Sequence, residues 1–342
     1  MSPHIIKPTT SKTIFSGIQP TGVLHLGNYY GAVSKWLAFQ EDPKTTLYVS
    51  VVDLHAVATE QPGQAVIRGN ILDMAASLLA CGLKVEKCVL FQQSAVPQHS
   101  ELAWMLGCLS TVPALSRLPQ YKQKAEKYKS GEIPLGLLSY PVLQAADILL
   151  YKATHVPVGE DQTQHLEIAK HLARKFNAIY ETPYFPVPEQ ITSTHARVKS
   201  LRRPDKKMSK SDPDSRGRIE IGDSAEEITK KLKKAVTDFT SEVTYDPANR
   251  PGVSNLVSLH AAITGKTTNE CVTSVRGLNT GQYKLHLAEI MIEKLRPISD
   301  EYRRLKAEPD YVRGVLKMGA EKAVSRAEKH VKEIKSIIGF DL

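Results

Sequence analysis

Short runs rich in β-branched residues alternate with helical patterns through the first 180 residues, and this alternation constrains the fold more than any other feature. The strand-like runs fall at residues 13–18, 46–53, 87–92 and 155–158. Residues 46–53 are typical of a parallel strand that is buried on both faces. The helical patterns cover residues 27–40, 62–82, 136–151 and 161–177. Together they predict an α/β domain with a doubly wound parallel sheet.

The character of the chain changes after about residue 180. Four prolines, at positions 183, 186, 188 and 204, interrupt an irregular basic segment. Ser224 then starts a capping-box pattern, which predicts a helix over residues 225–239. Apolar residues recur at helical spacing near the C-terminus, at positions 324, 327, 331, 334 and 338. We therefore predict a flexible tail over residues 1–11, the α/β domain over 12–212 and an α-helical domain over 213–342.

Composition excludes some classes of protein without selecting one. The 342-residue chain is 42% hydrophobic and carries a net charge of +9, which fits a polyanionic partner and simple solubility equally well. No apolar run approaches the ~20 residues that a membrane-spanning helix needs, so we expect no membrane association. The four cysteines form no C-x-x-C pair, which predicts that the protein holds no structural metal and works in a reducing compartment.

A glycine-rich turn follows the first strand. Gly17 and Gly22 allow the backbone to approach a ligand closely, and Gly27 with Asn28 places the amides of a helix N-terminus beside it. His25 offers a hydrogen bond to a phosphate. Taken alone such a turn is a weak signal, and a single histidine is more often a structural residue.

A second motif lies far downstream. Lys207 and Lys210 supply two charges, and Ser209 and Ser211 supply two hydroxyls, all suited to the oxygens of a pyrophosphate. By itself this segment fits a solvated basic turn. Because both motifs occur in this order around an α/β domain, they predict a site that activates its substrate with a nucleotide.

The two motifs, His25-Leu26-Gly27-Asn28 and Lys207-Met208-Ser209-Lys210-Ser211, resemble the HIGH and KMSKS signatures of class I aminoacyl-tRNA synthetases. Further blocks resemble tryptophanyl-tRNA synthetases of the bacterial and mitochondrial type, and the animal mitochondrial enzymes most closely. These blocks are FSGIQPTG at 15–22, VDLHA at 52–56, YPVLQAADILLY at 140–151, VPVGEDQ at 156–162 and KMSKSDP at 207–213. The resemblance runs from Lys12 to the C-terminus. It implies a Rossmann-like catalytic domain that ends in the KMSKS loop, followed by a helical anticodon-binding domain.

The resemblance also implies roles for individual residues in binding tryptophan. Asp147 would accept a hydrogen bond from the indole N–H. The other residues implied to line this pocket are Phe15, Gly17, His55, Gln144, Ile148, Val156, Val158 and Gln162. A carboxylate on an otherwise apolar helix is an unusual core residue, because an unpaired buried charge is costly, and this supports a functional role for Asp147. For the apolar members of the set, ordinary core packing is an equally good interpretation.

The implied nucleotide site draws on both motifs. The residues implied to hold ATP are Gln19, Pro20, Thr21, Gly27, Asn28, Gly159, Glu160, Asp161, Val198, Lys207, Met208, Ser209, Lys210 and Ser211. Those implied to act in catalysis are His25, Asn28, Lys124, Lys207, Ser209 and Lys210, with Lys124 joining the two loop lysines on the phosphates.

The same resemblance implies an activity and its partners. A member of this family takes ATP with Mg²⁺ as the substrate complex, forms tryptophanyl-adenylate and transfers the tryptophanyl group to tRNA(Trp) as a homodimer. Some members hold an iron–sulfur cluster in the helical domain, but residues 213–342 contain only Cys271, so we expect none here. The likeness to mitochondrial enzymes favours the mitochondrial matrix over the cytoplasm.

Two alternatives remain open at this point. Tyr140, Gln144 and Asp147 also resemble the tyrosine site of tyrosyl-tRNA synthetases, and many bacterial tryptophan enzymes have Met in place of Gln144. Against tyrosine, Phe15 stands where those enzymes place a tyrosine. The second alternative is a synthetase-like regulator that binds nucleotide or RNA without charging it, and the intact lysine loop argues against this.

Overall fold

The computed structural model describes residues 11–58, 63–129, 131–159, 162–192, 198–210, 212 and 214–341. Within them, five parallel strands form a sheet in the order β3-β2-β1-β4-β5. The strands are β1 (Lys12–Ile18), β2 (Thr45–Val51), β3 (Cys88–Gln92), β4 (His155–Pro157) and β5 (Glu189–Ile191). The predicted doubly wound α/β fold with a C-terminal helical part is confirmed. The predicted tail lies outside the described residues except for Ser11.

Helices cover both faces of the sheet and make up the C-terminal part. They are α1 (Leu26–Asn28), α2 (Ser34–Phe39), α3 (Asp53–Ala56), α4 (Gln64–Ala80), α5 (Gln98–Gly107), α6 (Val112–Ser116), α7 (Pro119–Ala125), α8 (Leu135–Leu150), α9 (Thr163–Ile179), α10 (Ala225–Lys233), α11 (Pro251–Thr264), α12 (Thr268–Ser274), α13 (Thr280–Ala307) and α14 (Pro309–Ile338).

Most of the predicted strands and helices are present in the structure, with small differences in where they begin and end. The predicted helix over 27–40 is α1 and α2 joined by a π-helical turn over Tyr29–Val33. Asp53, predicted to end a strand, instead begins the short helix α3. The helix predicted over 62–82 begins at Gln64 within the described residues, and Gly82 lies just past its end with a φ of +102°, a conformation that favours glycine.

The helix predicted over 225–239 ends early, at Lys233. The chain leaves the helix because the backbone N–H of Val236 bonds to the carbonyl of Leu201 at 2.8 Å. A side chain at Gly252 would also lie 2.3 Å from the Val236 carbonyl oxygen, so the backbone of α11 packs directly on this segment. Phe239 therefore lies in a loop, outside any helix.

Side chains of each strand alternate between two apolar layers. Ile14 and Leu90 pack with α2, α4 and α13 on one face, whereas Phe15 and Phe91 pack with α5, α8 and α9 on the other. A third cluster, which includes Leu26 and Met208, joins α1 and the lysine loop to α10, α11 and α13. The loop is thus anchored between the sheet and the helical part.

The last helix, α14, returns to the sheet. Val312 and Val315 belong to one apolar layer and Ala323 and Ala327 to the other, so α14 runs along the β3 edge and contacts both. At Gly319 a Cβ atom would lie 1.7 Å from the carbonyl oxygen of Leu90 in β3, so the backbones of helix and strand are in direct contact. The boundary at residue 212 stays a prediction, but α14 packs on the α/β part.

Candidate active site

The carboxylate of Asp147 lies at the centre of a buried hydrogen-bond cluster. It projects from α8 and is only 1% exposed. Asp147 accepts hydrogen bonds from His55 Nε2 at 2.8 Å, from Gln93 Nε2 at 2.7 Å and from His99 Nδ1 at 2.6 Å. Burial raises the pKa of Asp147, but the charges and hydrogen bonds of His55 and His99 outweigh it and hold the pKa below its ordinary value. Asp147 is therefore an ionised carboxylate that is shielded from water.

Aromatic rings fix the histidine that holds Asp147. His99 Nε2 lies 2.9 Å from the hydroxyl of Tyr151, so the second ring nitrogen of His99 is also hydrogen-bonded. The Tyr151 ring stacks on Phe15 with centroids 5.7 Å apart and planes 7° apart. This stack connects Phe15 of β1 to Asp147 through two side chains.

A second group of polar side chains includes Gln144 and Tyr140, which lie one and two helical turns before Asp147 on α8. The amide oxygen of Gln162 accepts from Gln144 Nε2 at 3.4 Å and from His165 Nδ1 at 2.8 Å. The Tyr140 hydroxyl lies 2.9 Å from His165 Nε2, and burial raises the pKa of Tyr140 to about 12. Lys124 Nζ lies 4.8 Å from the centre of the Tyr140 ring, a cation–π contact. The structure thus places Lys124 beside the tryptophan part of the predicted site.

The other residues predicted for the tryptophan pocket lie on β1, on or just after β4, or on α8. Phe15, Ile148 and Val156 are buried in the apolar layer, and Val158 packs against it. Gly17 is exposed at the end of β1, where a Cβ atom would lie 2.8 Å from Val52 Cγ1. Ligands of open α/β sheets bind at this edge, where the strand order reverses between β1 and β4.

His25 closes the first turn of the helix that follows β1. Its Nδ1 accepts from the backbone N–H of Asn28 at 3.2 Å, and Asn28 Oδ1 accepts from the backbone N–H of His25 at 3.5 Å. Burial, with the nearby charges of Lys210, Arg218 and Lys207, lowers the pKa of His25 to about 3. The ring is therefore neutral at pH 7 and its proton is on Nε2, which suits the hydrogen bond to phosphate that the sequence predicts.

The lysine loop lies against this turn. Lys210 Nζ donates to the carbonyl oxygen of Gly22 at 2.6 Å. Gly22 has a φ of +101°, so a glycine is required where the turn presents that carbonyl. A Cβ at Gly27 would lie 2.8 Å from the His25 ring and 3.4 Å from Met208 Cβ, so the two motifs touch where no side chain fits. The sequence predicted both motifs, and the structure brings them together.

Burial lowers the pKa of Lys210 to about 8, against the raising effect of Glu220. The loop itself is held by a backbone hydrogen bond of 3.0 Å from Met208 to Val198, one of the residues predicted to hold ATP. Lys207 is exposed, and Ser209 is half-buried. A half-buried lysine and an exposed lysine thus flank the same turn.

The remaining predicted ATP residues lie at the same edge of the sheet or outside the described residues. Gln19, Thr21 and Gly159 are exposed, and Pro20 is buried. Glu160, Asp161 and Ser211 lie outside the described residues.

Sequence reasoning missed Gln93 and His99, both of which donate to Asp147. Gln93 directly follows β3 and also accepts from the backbone N–H of Leu54 at 3.1 Å. Its position at the carboxyl end of a parallel strand is a usable signal, because ligands bind at that edge. His99 lies on α5 and shows no such signal.

The described residues lack two features that relate to cofactors and membranes. No cluster of three or more His, Cys, Asp or Glu side chains suited to a metal occurs among them. Nor do those residues contain a helix that is both long enough and apolar enough to span a bilayer.

The family model for "tRNA synthetases class I (W and Y)" matches residues 7–296. The chain belongs to this family. Among relatives of this synthetase, the mitochondrial tryptophan–tRNA ligase of Caenorhabditis elegans is 46% identical over 98% of this chain and 94% of its own. The tryptophan–tRNA ligase of Caulobacter vibrioides is 43% identical over 96% of this chain and 95% of its own.

A solved structure of the same family has the same fold as this synthetase. Tryptophanyl-tRNA synthetase from Campylobacter jejuni, complexed with ADP and tryptophan, superposes with a TM-score of 0.82. It is 32% identical, and the match covers 96% of this chain and 99% of that one.

Proposed function

We propose that this synthetase joins L-tryptophan to tRNA(Trp) in two steps. First, the tryptophan carboxylate attacks the α-phosphorus of ATP, the bond to the bridging oxygen breaks, and tryptophanyl-adenylate and pyrophosphate form. Then a ribose hydroxyl at the 3′ end of the tRNA attacks the adenylate carbonyl, and AMP leaves. Neither step needs a protein nucleophile, so the protein contributes position and charge stabilisation.

The observation that carries this proposal is the contact between the two phosphate-binding motifs. Lys210 bonds to Gly22, and Met208 packs where Gly27 leaves room. Ammonium groups of the loop and amides of the helix start are thereby adjacent, where they can stabilise the charge on a leaving pyrophosphate. His25 adds a neutral N–H donor at the same place.

Two observations support tryptophan as the amino acid: the names of the relatives, and the number of hydrogen bonds that the Asp147 carboxylate can still accept. A carboxylate has about four lone-pair positions, and three donors already occupy Asp147. One position is left for an indole N–H. The apolar walls Ile148, Val156 and Val158 suit a bicyclic ring.

ATP enters this scheme as its Mg²⁺ complex, in which the metal is held mainly by the phosphates, as is usual for this ion. The tRNA places its 3′ end at the adenylate and its anticodon on the helical part. We propose these two placements of the tRNA together with the roles given above to the site residues.

We propose that the protein works as a homodimer in mitochondrial protein synthesis. Support for the dimer comes from large apolar side chains that are exposed on α5, α6 and α8 of the α/β part: Trp104 is 78%, Val112 63% and Leu135 76% exposed. Such residues are typical of an interface between copies of a chain. Support for the compartment comes from relatives named as mitochondrial enzymes in Caenorhabditis elegans and Saccharomyces cerevisiae.

Substitutions in the lysine loop test the proposal. Lys207→Ala and Lys210→Ala should each slow tryptophan-dependent ATP–pyrophosphate exchange by about 10²-fold or more, because each removes a preorganised charge from the leaving pyrophosphate. Tryptophan affinity, measured by equilibrium dialysis, should stay nearly unchanged. Lys206→Ala, at an exposed lysine just before the motif, is the matched control and should keep wild-type exchange. Near-wild-type exchange in both loop variants would contradict the role assigned to the lysine loop.

A further inference from the structure

A groove lies between α4 and α14, beside the carboxyl ends of β2 and β3. Its volume is about 700 Å³, within the range of pockets that hold small organic molecules. One wall belongs to the α/β part and the other to the C-terminal helical part, and ligand pockets are common at such boundaries. None of the residues that line the groove is among those assigned above to tryptophan, ATP or catalysis. The groove is therefore a separate candidate site.

Apolar side chains of both helices line the groove. They are Ile67, Ile71 and Leu72 on α4, and Leu316, Ala320 and Val324 on α14. Ile67, Leu72 and Val324 are only half-buried, so part of this apolar surface is in contact with water. A ligand with an apolar body would remove that surface from water, which is favourable.

Two cations at the groove have no partner among the residues that the structure describes. Arg68 on α4 and Lys317 on α14 are exposed, and neither forms an ion pair or a hydrogen bond with another described side chain. By contrast, Arg313 pairs with Asp310 at 2.5 Å. Glu321 is the lining carboxylate that likewise has no partner in the described part of the chain. Two cations against one carboxylate leave an excess of one unpaired positive charge.

The other carboxylate of the groove, Asp53, already accepts several hydrogen bonds. It is 6% exposed and accepts from the backbone N–H of Ser94 at 2.9 Å, from Ser94 Oγ at 2.5 Å and from Gln92 Nε2 at 2.7 Å. These dipoles compensate its charge, so the unpaired charge at the groove stays positive. Asp53 also begins α3, which carries the Asp147 donor His55. This end of the groove thus adjoins the tryptophan part of the candidate active site.

Contacts elsewhere fix both walls of the groove. Helix α14 packs backbone to backbone on β3 at Gly319. Helix α4 is held to α13 by a hydrogen bond of 3.1 Å from the Tyr302 hydroxyl to Asp73 and by an ion pair of 3.2 Å between Lys306 and Asp73. A ligand therefore meets a preformed groove, which lowers the entropy cost of binding.

We propose that the groove between α4 and α14 binds an organic carboxylate with an apolar body. The apolar body lies on the aliphatic side chains of the two helices, and Arg68 and Lys317, one from each helix, hold the carboxylate. A single carboxylate matches the excess of one positive charge. An inorganic anion would leave the apolar lining in water, and a neutral apolar molecule would leave both cations unpaired. The inference does not depend on the proposed function, because no residue of the groove takes part in it.

Calorimetric titration of the full-length protein tests the proposal. The probes are 1-naphthaleneacetate, which has a ring as its body, and decanoate, which has a chain. At least one of them should bind, at one molecule per chain and with a Kd of about 1 mM or below, as ligands of this size can reach. The heat-capacity change should be negative, since apolar surface is buried. Saturating tryptophan and AMP should not displace the probe, and acetate, which lacks an apolar body, should not bind.

The role of the charge is tested on the ligand and on the protein. The neutral amide of the probe should bind about 5-fold or more weakly than the carboxylate, because it forms no ion pair. Lys317→Glu and Arg68→Glu should each weaken binding of the carboxylate by about 5-fold or more and leave binding of the amide nearly unchanged. Lys329→Glu, an exposed lysine of the same helix outside the groove, is the matched control and should bind the carboxylate like the wild type. Unchanged melting temperatures without ligand show that the variants are folded.

Four results would overturn the proposal. The first is that neither carboxylate binds to the wild type, and the second is that tryptophan and AMP displace the probe, which would place it in the active site. The third is equal affinity for the carboxylate and its amide. The fourth is an equal loss of affinity in Lys317→Glu and Lys329→Glu.

Discussion

Asp147 keeps its charge in a site from which water is largely excluded. An isolated carboxylate there would neutralise, since burial of an unpaired ion is strongly unfavourable. Its three donors, His55, Gln93 and His99, make ionisation favourable and fix the oxygen atoms in place. A charged acceptor with one unused position is suited to select an N–H donor inside an apolar pocket.

Lys210 gives the site a pH dependence. Because burial lowers its pKa to about 8, the free enzyme loses this charge at a lower pH than an ordinary lysine would. The protonated form is the one that stabilises pyrophosphate, so kcat/KM for ATP should fall as pH rises through about 8. Measurement of pyrophosphate exchange between pH 6 and 10 checks this.

The control for that profile is Lys210→Arg, whose guanidinium stays charged throughout the range. Its exchange rate is expected to be lower, but the fall near pH 8 should disappear. A fall of the same midpoint in the arginine variant would assign the titration to another group.

At the residue scale, the sequence predicts the charged groups of the site but misses the side chains that donate hydrogen bonds to them. Asp147 stands out as a carboxylate on an apolar helix, and the lysine loop stands out as a motif. Gln93 and His99 lie 54 and 48 residues away from Asp147, and only the folded sheet brings them to it. Long-range hydrogen bonds of this kind leave no local pattern.

Helix α14 is the element whose placement depends most on a single residue. Gly319 allows its backbone to touch β3, and a methyl group there would lie 1.7 Å from the Leu90 carbonyl oxygen. Gly319→Ala should therefore destabilise the fold by about 2 kcal/mol or more, at the upper part of the range for overpacking. Urea unfolding with an unchanged slope would report it.

Gly314 of α14 is the matched control, because nothing lies within 4 Å of a Cβ at that position. Gly314→Ala should stabilise by up to ~1 kcal/mol, since alanine favours the helix more than glycine does. Equal stability changes in the two variants would contradict the close packing of α14 on β3.

Local patterns predict most elements here because strands and helices have strong periodicities. These patterns fail where tertiary contacts determine the end of an element. Nothing in the residues after Lys233 stops a helix, and α10 ends there because Val236 bonds to Leu201 and α11 packs on the Val236 carbonyl. The same contacts put Phe239 on the surface, so its exposure could not be predicted from the sequence.

For the whole molecule, the sheet brings two chemistries to one edge. The carboxyl end of β1 leads to the glycine-rich turn that contacts the lysine loop, while β2 and β3 lead to His55 and Gln93 around Asp147. The apolar cluster containing Met208 ties the lysine loop to the helical part, and α14 ties that part back to the sheet. Amino-acid binding, phosphate chemistry and the proposed tRNA surface thus belong to one packed structure.

The central claim is that this site activates tryptophan, and amino-acid-dependent ATP–pyrophosphate exchange measures it most directly. We predict that the wild type prefers tryptophan over tyrosine and phenylalanine by roughly 10⁴-fold or more in kcat/KM, as sites built around a buried hydrogen bond can achieve. In Asp147→Ala, and in the shape-conserving Asp147→Asn, the KM for tryptophan should rise and this preference should shrink. Exchange with tyrosine as fast as with tryptophan in the wild type would contradict the account, and unchanged selectivity in both variants would contradict the role of Asp147.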